Sequence, residues 1–222
     1  MTETEQRLAL VAAVQRLDAL GLNRGSTGNV SLRSGEGMLI TPTGMGADGL
    51  GAQDLVWVGW DGAMQGQWRP SSEWHFHQAA YRVRSDLHAV VHTHSTHAAA
   101  LACLRRPLPA FHYMVAVAGG DSVPLVPYFT FGTEALSQAV GLALADRDAC
   151  LLANHGLVAA GPTLVQAMKV AHEIESLCEV YLKALAVGEP ALLGEADMTA
   201  VIDKFRSYGR AALSSPSETT PD

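Results

Sequence analysis

The segment Ala89-Val90-Val91-His92-Thr93-His94 governs how the rest of the chain is read. Residues 89 to 93 form a short apolar run rich in β-branched side chains, the signature of a buried strand. On a strand, residues i and i+2 share a face, so His92 and His94 present two imidazoles side by side. Upstream, Pro70-Ser71-Ser72-Glu73 opens a helix reaching about Arg84. Downstream, Ser95 or Thr96 caps a helix that ends near Leu104. A buried strand set between two helices is the unit of a layered α/β fold.

The same interleaving extends outward. Thr2-x-x-Glu5 is a capping box, and the helix it opens runs from about residue 3 to 20, with Gly21 as its stop. After the turn Gly25-Ser-Thr-Gly28, strands are expected at Asn29 to Leu32, Met38 to Thr41 and Leu55 to Trp60, punctuated by glycine and proline. Further strands are expected around His112 to Val117, Val123 to Val126, Ala149 to Ala153 and Leu157 to Ala160. Helices are expected from Thr133 to Ala145, from the Thr163-x-x-Gln166 cap to about Val187, and from 196 to 207. Short turns join several strand pairs, which requires antiparallel pairing. The expectation is a single three-layer α/β/α domain over 1–213 with a central, largely antiparallel sheet, followed by a disordered Ser/Thr/Pro-rich tail, 214–222.

Composition narrows the function. The 222 residues suit one large domain or at most two small ones, and 48% apolar against 17% charged residues supply a sizeable core. A net charge of −7 argues against a general nucleic-acid binder. No stretch approaches the ~18 consecutive apolar residues of a membrane span. The N-terminus lacks the basic start of a signal peptide. Cys103, Cys150 and Cys178 are odd in number and widely spaced, which reads as buried or partly buried free thiols in a reducing compartment. The expected location is the cytoplasm.

Of nine histidines, His75, His77, His88, His92, His94, His97 and His112 crowd into one segment. Such an excess suggests metal or acid–base chemistry, although a His-x-His pair alone also fits satisfied core or surface histidines. His155 is a third candidate ligand, at a strand end before Gly156, and Glu73 a fourth, in the first turn of its helix. Zinc prefers four such ligands. His75, His88, His97 and His172 read as structural. So does His77, with the reservation that it lies at i+4 from Glu73 and shares its helix face.

Three hydroxyl-rich turns stand out: Gly25-Ser-Thr-Gly28-Asn29, Thr41-Pro-Thr43-Gly44 and Ser71-Ser72. Each alone reads as a turn or cap. Beside a metal cluster they suggest a phosphorylated small molecule, since hydroxyls, close backbone approach at glycine and a helix N-terminus favour an anion. Only three lysines are present, Lys169, Lys183 and Lys204, all in the C-terminal helices. Schiff-base chemistry therefore has no lysine to use, and carbonyl chemistry would call for a metal.

Taken in order, Gly21-Leu-Asn-Arg-Gly-Ser-Thr-Gly-Asn-Val-Ser31, Ile40-Thr-Pro-Thr-Gly44, Ser71-Ser-Glu73, Val91-His-Thr-His94 and Asn154-His-Gly156 resemble the class II aldolase/adducin family, from about Arg7 to Gly209. The resemblance implies zinc, with Mn2+ or Co2+ as substitutes, held by His92, His94 and His155 with Glu73 near the ion. It implies a phosphate pocket from Gly28, Asn29, Thr43, Gly44, Ser71 and Ser72. It implies a homotetramer with active sites between subunits, completed by Tyr113 and by Tyr208 from a neighbour. The implied activity is cleavage of a deoxyketose 1-phosphate (L-fuculose, 5-deoxyribulose or 5-methylthioribulose 1-phosphate) to dihydroxyacetone phosphate and a short aldehyde. His92-Thr-His-Ser-Thr-His-Ala98 also resembles the pentulose-phosphate 4-epimerase branch, and a decarboxylase or a non-catalytic adducin-like module remain alternatives on the scaffold. Glu73 and Tyr113 together favour the aldolase branch.

Overall fold

The computed structural model describes residues 1–207. Tyr208 and the expected tail, 214–222, lie outside them. The chain runs α1 (Glu3–Ala19), β1 (Asn29–Ser34), β2 (Gly37–Ile40), β3 (Val56–Gly59), β4 (Met64–Gln65), α2 (Trp74–Val83), β5 (Ala89–Thr93) and α3 (Thr96–Cys103). It continues through β6 (Leu125–Val126), α4 (Glu134–Ala143), β7 (Ala149–Leu152), β8 (Gly156–Gly161), α5 (Leu164–Leu185) and α6 (Glu195–Ser207). The strands form one eight-stranded sheet in the order β4-β3-β2-β1-β5-β8-β7-β6. Every pairing is antiparallel except β6 with β7.

Period-two alternation builds a core on each face. Val30, Leu39, Ala89, Val91, Leu151 and Leu157 pack against Leu10 and Leu17 of α1, Leu101 of α3 and Ile174 and Leu177 of α5. The intervening residues Met38, Ile40, Val58, Val90, Cys150 and Val158 face Phe76 and Ala80 of α2 and Leu136 and Val140 of α4. His92 follows Val90 by two residues, so it emerges on the α2 side. The Thr2 and Thr163 caps act as read, whereas Ser95, the N-cap of α3, makes no side-chain capping bond and the N-cap of α2 is Glu73 rather than a serine. Thr2 and Glu5 form the reciprocal box, and Thr133 and Thr163 accept from the Leu136 and Gln166 N–H groups.

Three expectations need correction. The apolar run at 112–117 is not a strand but a 3-10 helix, Tyr113–Ala118. His112 Nδ1 caps it by accepting from Met114 N, and Gly119 ends it in the left-handed conformation at φ 84°. A short apolar run carries no period of its own, and these two terminal groups decide its form. The 123–126 strand shrinks to Leu125–Val126 with a single bridge from Val123 to Leu108, because Pro124 has no N–H to give a ladder. Cys103 is exposed at the end of α3, whereas Cys150 and Cys178 are buried and free as expected. Burial pushes the Cys150 thiol up to about 12, which leaves it unreactive. Among the described residues no helix is long and apolar enough to cross a membrane.

Candidate active site

The site lies where the central strands end. In the register of the sheet Asn29 opposes His92, and Thr93 opposes Leu157. The start of β1, the end of β5 and the start of β8 therefore meet at one edge, and the N-terminus of α2 lies over it. Glu73 is the N-cap residue of α2 rather than a member of its first turn, at φ −100° and ψ 8°. Its side chain makes no capping bond and turns into the site, while Ser71 Oγ accepts from the Glu73 N–H at 3.3 Å. His155 is aimed by the β7–β8 turn. Asn154 adopts φ 56°, its N–H donates to Ala102 O at 3.1 Å, and its Oδ1 accepts from Arg105 Nε at 3.0 Å. Asparagine tolerates this left-handed conformation better than most residues.

Glu73, His92, His94 and His155 each offer a ligand atom, and these atoms lie within 4.8 Å of one another. His92 Nε2 is 2.9 Å from His94 Nε2 and 3.2 Å from Glu73 Oε2, and His155 Nε2 is 3.3 Å from Glu73 Oε1. The three rings stand nearly perpendicular to one another, each pair 4.8 Å apart at the centroids. Their nitrogens thus converge on a point, as in a metal centre.

Two features show that a cation fits. His92 Nδ1–H donates to Leu157 O at 2.9 Å, which leaves the lone pair on Nε2. Glu73 Oε1 is buried without a hydrogen-bond partner, a costly arrangement unless something positive meets it. Burial, reinforced by the neighbouring His155 and His94, holds the His92 imidazole well below its ordinary pKa. Burial also lowers His94 and His155, against the pull of Glu73. Neutral imidazole is the form that binds metal.

A cavity of about 330 Å³ opens beside this cluster. Gly28, Asn29, Thr43, Gly44, Ser71, Ser72, Glu73, His94 and His155 all line it. Backbone pairing joins the segments: Thr43 N donates to Arg69 O, and Ser71 N to Thr41 O, both at 3.0 Å. The hydroxyls of Ser26, Thr43 and Ser72 have no protein partner among the described residues, and the lining holds no lysine or arginine. An anion here meets hydroxyls, backbone N–H groups and the α2 dipole. Asn29 is less free than expected of a phosphate ligand, because its side chain is already bonded to Glu73 and His77.

Tyr113 is not brought to this cavity within the chain. It is 50% exposed and stacks on His112 instead. Tyr128, Phe129 and Phe131 do line the cavity, and sequence reasoning missed them. The available signal was three aromatics within four residues of a chain only 6% aromatic.

Gly156 shows how tight the frame is. A Cβ there would lie 2.3 Å from Thr93 O and 3.2 Å from His94 Cδ2. Gly156→Ala is therefore expected to cost about 1–3 kcal/mol and to spread the ligand strands. Thermal denaturation and bound-metal content check this, and an unaltered metal content would refute the spreading.

Burial sets a pH dependence as well. The His77 pKa is held well below its ordinary value, by burial first and then by His92. The unfolded chain thus takes up a proton below about pH 6.5 that the folded chain refuses. Stability is fully present above that pH and falls as the pH drops through it. The urea midpoint of metal-free protein should be lower at pH 5.5 than at 7.5, and an equal or higher midpoint would contradict this.

Residues 8–182 match the class II aldolase and adducin N-terminal domain family. The chain is 47% identical to a 5-methylthioribulose-1-phosphate/5-deoxyribulose-1-phosphate aldolase from Rhodospirillum rubrum, over 95% of this chain and 96% of the relative. It is 48% identical to an L-fuculose phosphate aldolase from Escherichia coli K12, over 86% and 89%. A solved L-fuculose 1-phosphate aldolase superposes with a TM-score of 0.88 at 36% identity, covering 91% of this chain and 96% of that one.

Proposed function

The chain belongs to the class II aldolase and adducin family, and on that footing we propose that it is a zinc-dependent aldolase cleaving a deoxyketose 1-phosphate to dihydroxyacetone phosphate and a short aldehyde. The observation that carries this reading is the convergence of three imidazoles and Glu73, whose Oε1 is buried without a hydrogen bond, beside a hydroxyl-lined cavity. Zinc suits a histidine and carboxylate set, and Mn2+ or Co2+ would substitute. When bound by His92, His94 and His155, the ion supplies Lewis-acid stabilisation of the charge that develops at the ketose carbonyl.

The protein's own residues do the rest. Thr43, Ser71 and Ser72, with the backbone at Gly28 and Gly44, hold the phosphate and fix the sugar's direction. As the C3–C4 bond breaks, its electron pair passes to the dihydroxyacetone phosphate half as an enediolate, and the C4 hydroxyl proton leaves to solvent water as the aldehyde forms, with Tyr113 of a neighbouring subunit at that end. Glu73 Oε1 takes up a proton from water and gives it to C3 of the enediolate, so that one proton is released and one taken up. Tyr113 lies exposed and outside its own chain's cavity, which supports a tetramer with sites between subunits. Tyr208 joins it in the same reading. Tyr128 and Phe131 line the cavity while 55% and 64% exposed, which suits a substrate with an apolar tail. The free buried thiols support a cytoplasmic setting.

A coupled assay for dihydroxyacetone phosphate tests the reading, with L-fuculose 1-phosphate and 5-methylthioribulose 1-phosphate offered side by side. Release that a chelator abolishes and zinc restores is expected, and the better substrate identifies the tail. Metal-loaded protein that instead yields a stereoisomer or carbon dioxide would overturn it in favour of an epimerase or a decarboxylase.

A further inference from the structure

Behind Glu73 runs a buried polar row, and of its members Asn29, His77, Ser31 and Tyr81 only Asn29 reaches the cavity lining. Asn29 Nδ2–H donates to Glu73 Oε2 at 2.9 Å, and Asn29 Oδ1 meets His77 Nε2 at 2.5 Å. His77 Nδ1 meets Ser31 Oγ at 2.8 Å, and Ser31 Oγ meets the Tyr81 hydroxyl at 2.8 Å. All five side chains are buried, His77 and Ser31 completely.

Chemistry allows one polarity along this row. A carboxylate only accepts, so Asn29 must show Glu73 its N–H and turn its oxygen to His77. His77 must then carry its hydrogen on Nε2 and accept at Nδ1, which makes Ser31 the donor there. Ser31 in turn accepts from the Tyr81 O–H. The shifts agree with this polarity, since burial keeps His77 neutral and raises the Tyr81 phenol, so it stays an O–H donor.

The consequence falls on Glu73. Oε2 is tied down through Asn29, and Oε1 is the oxygen without a hydrogen bond, with His155 Nε2 3.3 Å away. We propose that His77 is a positioning residue that locks the Asn29 amide, so that Glu73 is anchored by Oε2 and works through Oε1. With His77 unable to donate, the Asn29 amide is free to flip, and its oxygen would then face the carboxylate and push it aside. This deepens the aldolase reading and rests on it for the role of Glu73. His77 therefore does more than fill the core, and its i+4 spacing from Glu73 has a purpose.

The test compares His77→Met, which keeps length but cannot donate, with His77→Gln, whose amide nitrogen can reach the place of Nε2. Zinc affinity is read on substrate-free protein by competition with a chromophoric chelator, and kcat is read at saturating zinc and substrate. Groups that orient metal ligands typically control about 10–100-fold in affinity or activity. His77→Met is expected to lose that much in zinc affinity and in kcat, and His77→Gln to recover both to within about five-fold of the parent. Parent-like zinc binding and turnover in His77→Met would overturn the proposal. So would equal damage in both variants, which a space-filling role predicts.

If His77→Met does not fold, Ser31→Ala decides, because it frees His77 to take the other tautomer. A loss of about three-fold or more in zinc affinity supports the proposal, and unchanged affinity refutes it. Failure of the aldolase reading would appear separately, as a parent protein that releases no dihydroxyacetone phosphate. The zinc arm would still judge His77.

Discussion

Glu73→Gln is expected to lower kcat by roughly 10²–10⁴-fold while the protein keeps most of its metal, the range expected for a positioned acid–base group. The amide has the shape of the carboxylate, and one end can still accept from Asn29 Nδ2. The other end replaces Oε1, the oxygen that is buried without a partner, with a group that cannot shuttle a proton. His92, His94 and His155 remain to hold the ion. The same substitution removes a poorly compensated buried charge, so metal-free Glu73→Gln should melt no lower than the metal-free parent. Steady-state kinetics at saturating metal, metal analysis and thermal denaturation check the three parts. A kcat within a few-fold of the parent would remove Glu73 from proton transfer.

His92→Ala is expected to reduce activity by more than about 10³-fold, through loss of the metal and its charge stabilisation. His92 is completely buried and central to the cluster, with His94, Glu73 and Leu157 O as neighbours. Its truncation removes a ligand, the bond to Leu157 O and the edge contact with Phe76, whose ring centroid is 5.4 Å away. The metal-free variant should also lose about 2 kcal/mol or more from the cavity and the broken hydrogen bond. Metal content by atomic spectroscopy and a urea titration measure both effects. A variant that retained stoichiometric metal and turnover would show that the convergence of the three imidazoles is incidental.

The two substitutions separate roles that sequence proximity cannot. His92 and His94 were legible as a pair because strand alternation is local, and the pairing survives although β5 ends at Thr93. The Thr2/Glu5 capping box, the Gly21 stop and both faces of the sheet follow from spacing within a few residues. The apolar run at 112–117 was misread because its form depends on a side-chain cap at one end and a positive φ at the other.

Residue types and their order determined the α/β layering, the hydroxyl-rich turns, the shortage of lysine and the candidates Glu73, His92, His94 and His155. Tertiary structure alone decided that the start of β1, the end of β5 and the start of β8 meet, that the α2 N-terminus lies over them, and that Asn29 ties Glu73 to His77. It also placed Tyr128 and Phe131 at the cavity and left Tyr113 outside it. The physical reason is range. Helix and strand periodicities, caps and turns are settled between near neighbours. Convergence of all four ligand atoms and the polarity of a buried hydrogen-bond row need residues that folding brings together from far along the chain, such as Asn29 and Glu73, 44 positions apart, and Ser31 and Tyr81, 50 apart.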